Sequence, residues 1–254
     1  MVRSGKVTPE DHSGMTHRRQ RSILILAVLV GILVGGEPGA QGDVTVLDRV
    51  STVGTPVSLV VQTSQFFMAD GGRLVDVFLE QERLGRVMTG GDGYGYLRLV
   101  PGCAGLMKIS VRSGDSEAEG RLLVMEKTER AVVIDLEAAF MDLHLRARDR
   151  EACRSVLEAI GRRYRLIYVY RFIGSGFSRG RLEEVGFPPS VMLSWKGRAT
   201  LESLREREVQ VHAVIGSAET VTAAGPQVPH RFSFEKAKGA KTVSEWEEIA
   251  KALE

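Results

Sequence analysis

The sequence predicts an all-β sandwich followed by an α/β domain built on a parallel sheet. Between residues 43 and 128, short apolar runs are separated by turn sequences and no segment has helical spacing, which is the pattern of a small antiparallel sandwich. From residue 129 to 254, strand-like apolar runs alternate with amphipathic segments, which indicates strands joined by helical crossovers. We therefore expect three regions, namely residues 1–42, 43–128 and 129–254.

The first region, residues 1–42, has the features of an export signal. Three arginines precede the apolar run Ile23–Val34, and this run is shorter than the about 20 residues that a membrane span needs. Small residues then lead to a cleavage position before Asp43. The alternative is a short, uncleaved signal anchor. In both cases we expect the remainder of the chain to be exported to the periplasm or the extracellular space.

The second region contains five apolar runs that are predicted as β-strands. Between two of them, the sequence Gly90-Gly91-Asp92-Gly93 is typical of a turn, in which Asp92 acts as the turn residue. The succession of a strand, this turn, the step Pro101-Gly102 and another strand resembles immunoglobulin-like modules of exported bacterial proteins. The resemblance implies an immunoglobulin-like β-sandwich over residues 43–128. The five predicted strands are Pro56–Val61, Leu74–Leu79, Tyr94–Val100, Leu106–Val111 and Arg121–Met125.

The third region opens on the apolar run Ala131–Ile134, which leads into Asp135 and, two residues later, Glu137. A buried strand of a parallel sheet has this composition, and it places Asp135 at the carboxyl edge of the sheet, where α/β proteins bind ligands. Strands and helices then alternate. The predicted strands are Arg165–Phe172, Val191–Trp195, Val211–Gly216 and His230–Phe234, and the predicted helices are Arg148–Tyr164, Ser178–Val185, Ala199–Glu206, Glu219–Ala224 and Val243–Leu253.

The order and spacing of these segments resemble the haloacid dehalogenase (HAD) superfamily, and most of all its lipin-type phosphatidate phosphatase branch. The resemblance implies a Rossmann-like parallel sheet. It also implies phosphoryl transfer through an aspartyl-phosphate, a reaction that requires magnesium. The segments that carry the resemblance are Val132–Glu137, Tyr164–Arg171, Arg181–Pro188, Trp195-Lys196, Ala213–Ser217 and Trp246–Leu253.

The resemblance assigns a role to four residues if the domain is active. Asp135 stands at the position of the nucleophile, Glu137 at that of the general acid, and Lys196 at that of the lysine that holds phosphate. Magnesium would be held by Asp135 and Glu219, because hard carboxylate oxygens are its preferred protein ligands.

Several groups that the same chemistry needs are replaced in this sequence. Ala139 stands where the family has a threonine, Tyr170 replaces the hydroxyl that grips phosphate, and Ser217 and Val221 replace metal-binding acids. We therefore expect a degenerate domain that needs no cofactor and serves in binding or interaction. The alternative is a Mg²⁺-dependent phosphatase that acts on an exported phosphomonoester such as a phosphatidate-like lipid.

The charge of the chain is nearly balanced, because the formal net charge is +2, and this excludes nucleic acid as an expected partner. Residues 146–181 nevertheless contain ten arginines, which we interpret as a solvated helix face. The alternative is an anion-binding face in which Arg171, Arg179 and Arg181 hold an anionic lipid. Another exported protein is the second kind of partner that the sequence favours.

The cysteines and histidines favour neither a disulfide scaffold nor a metal centre. Cys103 and Cys153 fall in different predicted domains, so we expect two free thiols, with Cys153 on the apolar side of its helix. The five histidines are scattered, without the spacing of metal ligands.

Overall fold

The computed structural model describes residues 43–66, 68–138, 147–171 and 175–254. The predicted export signal at residues 1–42, together with Ala139 and Arg146, lies outside the described residues. Residues Gly42–Glu254 form one compact unit, and the division at residues 128 and 129 stays a prediction. Within the described ranges, no helix is both long and apolar enough to cross a membrane.

The first half of the described chain is a sandwich of two β-sheets. Burial alternates along its strands, so that every second residue, such as Val44 and Val46 in the first strand, enters the core between the sheets. One sheet contains β1 (Asp43–Leu47), β3 (Val57–Gln65), β4 (Met68–Ala69) and β7 (Tyr94–Leu99), all paired antiparallel. The other has the order β2 (Arg49–Thr52), β9 (Ser116–Met125), β8 (Gly105–Ser113), β5 (Leu74–Leu79) and β6 (Glu82–Met88).

The turn before β7 is shaped as the sequence predicts. Asp92 Oδ1 accepts a hydrogen bond from the backbone N–H of Tyr94 at 3.0 Å, which confirms Asp92 as a turn residue. Gly93 has a φ of 78°, and a Cβ at this position would lie 2.5 Å from the carbonyl oxygen of Thr63. A side chain is therefore excluded at position 93 by both conformation and space.

Four strands of the sandwich, β1, β2, β4 and β6, were not predicted from the sequence. In β6 five of the seven residues are exposed, and β5 is the one described strand that pairs with it, so the apolar residues of this edge strand do not alternate with polar ones as they do in a half-buried strand. β1 and β2 are short, at five and four residues, and the single residue Asp48 separates them.

The second half contains a parallel sheet of six strands. Its central strand, β10 (Arg130–Asp135), is buried from Ala131 onward because strands flank it on both sides. The order is β12 (Val191–Ser194), β11 (Arg165–Tyr170), β10, β13 (Gln210–Ile215), β14 (His230–Ser233) and β15 (Lys241–Thr242). The predicted parallel sheet, with Asp135 at the carboxyl end of a central strand, is confirmed, while β15 was not predicted.

Helices cover both faces of this sheet, and the sandwich covers part of one face. The helices are α1 (Ala147–Gly161), α2 (Ser175–Val185), α3 (Arg198–Glu206), α4 (Ala218–Ala224) and α5 (Trp246–Leu253). On one face, Leu157 of α1 and Ile249 of α5 share a core with Ile134. On the other face, the core around Val133 includes Met125 from the sandwich strand β9. The core on this face is therefore built from both halves of the chain.

No disulfide joins the two cysteines in the described part of the chain. Cys103 is exposed, whereas Cys153 is buried on the apolar side of α1.

Candidate functional site

Asp135 lies at the carboxyl edge of the parallel sheet, in a cluster of polar side chains that includes a single arginine. Its side chain is 2 % exposed, although a carboxylate at this edge was predicted to face a ligand. Gly216, which follows the neighbouring strand β13, allows the close approach of the two chains, since a Cβ on Gly216 would lie 2.6 Å from the Cβ of Asp135.

The chain itself fills the hydrogen-bonding positions of both oxygens of Asp135. Oδ1 accepts from the backbone N–H groups of Glu137 at 3.1 Å and Ala138 at 3.3 Å. Oδ2 accepts from Thr220 Oγ1 at 2.5 Å and from Ser217 Oγ at 3.1 Å. Hydrogen bonds to an ionised carboxylate are stronger than those between neutral groups, so these four donors hold the side chain of Asp135 in one orientation.

Arg171 supplies the positive charge of the cluster. Its Nη2 lies 3.2 Å from Asp135 Oδ2, 2.7 Å from Ser217 Oγ and 2.5 Å from Thr220 Oγ1. Its Nη1 donates to Glu219 Oε2 at 2.5 Å. The side chain of Arg171 is 17 % exposed, so its guanidinium closes the cluster from the solvent side.

Glu137 and Glu219, the other two predicted acids, also meet Arg171 but in different ways. Glu137 Oε1 accepts a hydrogen bond from the backbone N–H of Arg171 at 2.6 Å, which fixes the chain just after β11. The carboxylate of Glu219 is 75 % exposed and reaches Arg171 from the outside. Both acids therefore contact the residue that forms the ion pair with Asp135.

The cluster does not fit magnesium. A magnesium ion bridging Asp135 and Glu219 would need oxygen ligands around it, and the guanidinium of Arg171 occupies the space between these two carboxylates. Within the described residues, no group of three or more His, Cys, Asp and Glu side chains is arranged to hold a metal ion.

The predicted lysine of the site lies elsewhere. Among the described residues, Lys196 forms no hydrogen bond with Asp135. It lines a separate cavity together with Tyr170. Ser217 and Val221, which stand at the predicted metal positions, have structural roles. Ser217 caps the N-terminus of α4 through the backbone N–H of Thr220, and Val221 is fully buried.

The two described arginines of the predicted anion-binding face are both paired with acids. Arg171 pairs with Asp135 and Glu219, and Nη2 of Arg179 lies 2.7 Å from both oxygens of Asp48. The side chain of Arg181 lies outside the described part of the structure. The positive charges of these two arginines are therefore neutralised by acids of the chain itself, whereas the sequence suggested that they bind an anionic ligand.

Sequence reasoning did not assign a partner to Arg171 or any role to Thr220. A signal for Arg171 was present, because Asp135 is in register with Val169 of β11 and Arg171 follows two residues later, at the same edge of the sheet. Thr220 carried no such signal, since its contact with Asp135 depends on how α4 packs.

Comparisons with known proteins return β-sandwich domains. No family model matches the sequence, and no curated protein matches it either. Among solved structures, the chain is similar to the CARDB domain of PF1109 from Pyrococcus furiosus, with 13% identity over 33% of this chain and 94% of that one, at a TM-score of 0.27. It is also similar to the IG27 protein domain, with 17% identity over 35% of this chain and 100% of that one, at a TM-score of 0.28. A third similar structure is that of domains 4 and 5 of the S-layer protein SbsC, with 14% identity over 34% of this chain and 44% of that one, at a TM-score of 0.24.

These findings correct the family predicted from the sequence. None of the matched structures named above is a haloacid dehalogenase-type protein, and the assignment to that superfamily and to its lipin-type branch is wrong. The physical reason lies in the motif itself. A buried apolar strand followed by polar residues at the carboxyl edge is compatible with any parallel α/β sheet, so the motif indicates the sheet and not the family.

Proposed function

We propose that this chain is an exported binding protein in which the parallel sheet is a scaffold. The observation that carries the proposal is the ion pair between Arg171 and Asp135, with 3.2 Å between Nη2 and Oδ2. A nucleophilic carboxylate has to present a free lone pair to its substrate. In Asp135, both oxygens already accept hydrogen bonds from the chain, and the side chain is nearly inaccessible to solvent.

A binding role for the sandwich half is supported by its exposed apolar side chains. Leu74 and Met88, which are directly paired across β5 and β6, are 54% and 68% exposed. Phe66 and Met68, at the turn between β3 and β4, are 70% and 71% exposed. Neighbouring exposed apolar side chains support a surface that binds another protein where they form a contiguous patch, and the predicted export signal makes another exported protein the expected partner.

The proposal is tested by assaying the chain from Asp43 to Glu254 for hydrolysis of p-nitrophenyl phosphate in the presence of magnesium. We expect the same rate for the parent and for Asp135→Asn. Melting curves with and without magnesium should also coincide, since a millimolar site would add on the order of 1 kcal/mol at about 10 mM magnesium. Hydrolysis, or a magnesium-dependent rise in Tm, that is lost in Asp135→Asn would overturn the proposal.

A further inference from the structure

A second polar site lies at the junction of the sandwich and the parallel sheet, away from the Asp135 cluster. It is a cavity of about 250 Å³, which we call the junction cavity. Its wall comes from the end of β1 and the start of β2 on one side and from β12 and α3 on the other. The lining includes Arg49, Lys196 and Arg207 and the apolar side chains of Leu47, Leu193 and Leu204.

The charge of the junction cavity is unbalanced. Three cationic residues line it, and Asp48 is the single acid in the lining. Asp48 is already engaged by Arg179 and by the backbone N–H groups of Arg121 and Met192. Taking the four charges together, two positive charges remain in excess at the wall.

Among the described residues, none of the three cations forms a salt bridge, although the charge of Asp48 acts on Arg49 and that of Glu206 acts on Arg207. Arg49 donates to two backbone carbonyl oxygens, those of Ser58 at 3.1 Å and Asp48 at 3.2 Å. Within the described part of the chain, the hydrogen bonds of Lys196 and Arg207 use their backbone atoms alone. Guanidinium groups that line a cavity without a carboxylate partner in a salt bridge are suited to charge-assisted hydrogen bonds with an anion that enters it.

The electrostatics of the two arginines support the same conclusion. Burial lowers the pKa of Arg49, the nearby charge of Arg207 lowers it further, and Asp48 offsets part of this effect. Burial also lowers the pKa of Arg207, and the nearby charge of Glu206 offsets part of this effect. Both groups stay charged at neutral pH, since an arginine does not lose its proton in a protein. The folded chain thus holds two partly buried like charges near each other, an arrangement that an anion between them would relieve.

From this geometry we propose that the junction cavity binds a compact phosphate monoester, with Arg49 and Arg207 as its guanidinium ligands and Lys196 as a third cation. A phosphate monoester carries about −1.5 to −2 charges at pH 7, which matches the excess of two at the wall. The cavity is smaller than the roughly 300–1,000 Å³ of sites for drug-sized ligands, so the ligand is small or enters by its phosphate end. The inference does not depend on the proposed role of Asp135, because the two sites share no residue.

The test uses inorganic phosphate as the probe and the chain from Asp43 to Glu254. Calorimetric titration with phosphate is compared with sodium chloride at equal ionic strength, for the parent, Arg207→Gln, Lys196→Gln and Arg205→Gln. Arg205 is the matched control, because it is an exposed arginine in the last turn of α3, two residues before Arg207, and lines a different cavity. We expect phosphate affinity to fall about tenfold or more in Arg207→Gln and Lys196→Gln, and to be unchanged in Arg205→Gln.

Stability without phosphate separates a binding role from a structural one. Replacing Arg207 removes its repulsion of Arg49, so Arg207→Gln should melt at or above the temperature of the parent when no phosphate is present. A parent that shows no phosphate-specific binding, or equal binding by the parent and Arg207→Gln, would overturn the proposal.

A second arm identifies the source of the phosphate. Co-sedimentation with phosphatidylcholine vesicles, with and without phosphatidate, is measured for the parent and Arg207→Gln. Association that requires both phosphatidate and Arg207 assigns the site to a lipid headgroup. Phosphate binding without vesicle association assigns it to soluble monoesters, because the ligand then has to enter a cavity that a membrane surface does not reach.

Discussion

Asp48 and Arg179 form a buried ion pair that joins the β-sandwich to α2 beside the parallel sheet. Nη2 of Arg179 lies 2.7 Å from both carboxylate oxygens, and the side chains are 2% and 17% exposed. The same carboxylate accepts from the backbone N–H of Arg121 in β9 at 2.8 Å and from that of Met192 in β12 at 2.7 Å. One side chain between two short strands thus holds three elements of the fold together.

We expect Asp48→Asn to lower the free energy of unfolding by about 3–5 kcal/mol, because it leaves the charge of Arg179 buried and uncompensated. Urea denaturation of the two proteins measures the difference. Asp76→Asn is the matched control, since Asp76 pairs with Arg83 and Arg86 at the surface, where ion pairs contribute little. Equal losses in the two variants would contradict the role of Asp48.

The Arg171–Asp135 pair should behave as a coupled unit. Arg171→Met is expected to cost about 3–5 kcal/mol, since Asp135 would then be a buried charge without a counterion. Adding Asp135→Asn should recover part of this loss, because the remaining amide is neutral. The measurement is a double-mutant cycle from urea denaturation. Strictly additive losses would show that the two side chains do not stabilise each other.

Gly216 should not tolerate a side chain. The Cβ of Gly216→Ala would lie 2.6 Å from the Cβ of Asp135 and 3.1 Å from that of Thr220, so the cluster must shift, at a cost of about 1–3 kcal/mol. Gly180→Ala is the control, because a Cβ on Gly180 in α2 has no neighbour within 4 Å and alanine favours the helix. Thermal unfolding should separate the two variants, and a Gly216→Ala protein as stable as the control would refute this close packing.

His212 should make stability depend on pH below neutrality. Its ring stacks on Tyr164, with centroids 5.1 Å apart, and its pKa is lowered by burial, by His230 and by Arg130. The unfolded chain therefore binds a proton on His212 more readily than the folded chain does. The contribution of neutral His212 to the free energy of unfolding is complete above about pH 6.5 and is lost as the pH falls through and below that value.

His212→Gln should accordingly flatten the decline in the free energy of unfolding between about pH 6.5 and pH 5. Urea denaturation at a series of pH values measures the slope for each protein. Identical slopes would show that the proton affinity of His212 is the same in the folded and unfolded chains.

Local sequence patterns were sufficient for most of the fold. The continuous apolar run Ala131–Ile134 predicts a strand buried on both faces, and the structure has it at the centre of a parallel sheet. The signal is local because burial on both faces leaves no polar positions in the strand. It fails for β6, in which three of the five exposed residues, Glu82, Arg83 and Arg86, are charged. Among the described strands, β6 pairs with β5 alone, at the edge of its sheet.

The sequence by itself therefore determined the order of the elements and the position of the acids at the carboxyl edge of the sheet. The tertiary structure decided their chemistry. Whether Asp135 is a nucleophile or a neutralised buried charge depends on Arg171, 36 residues away, and on Thr220, 85 residues away. The junction cavity depends likewise on the packing of Arg49 near Arg207. The reason is that the energy of a charge is set by its burial and its neighbours in space, and neither is encoded in local spacing along the chain.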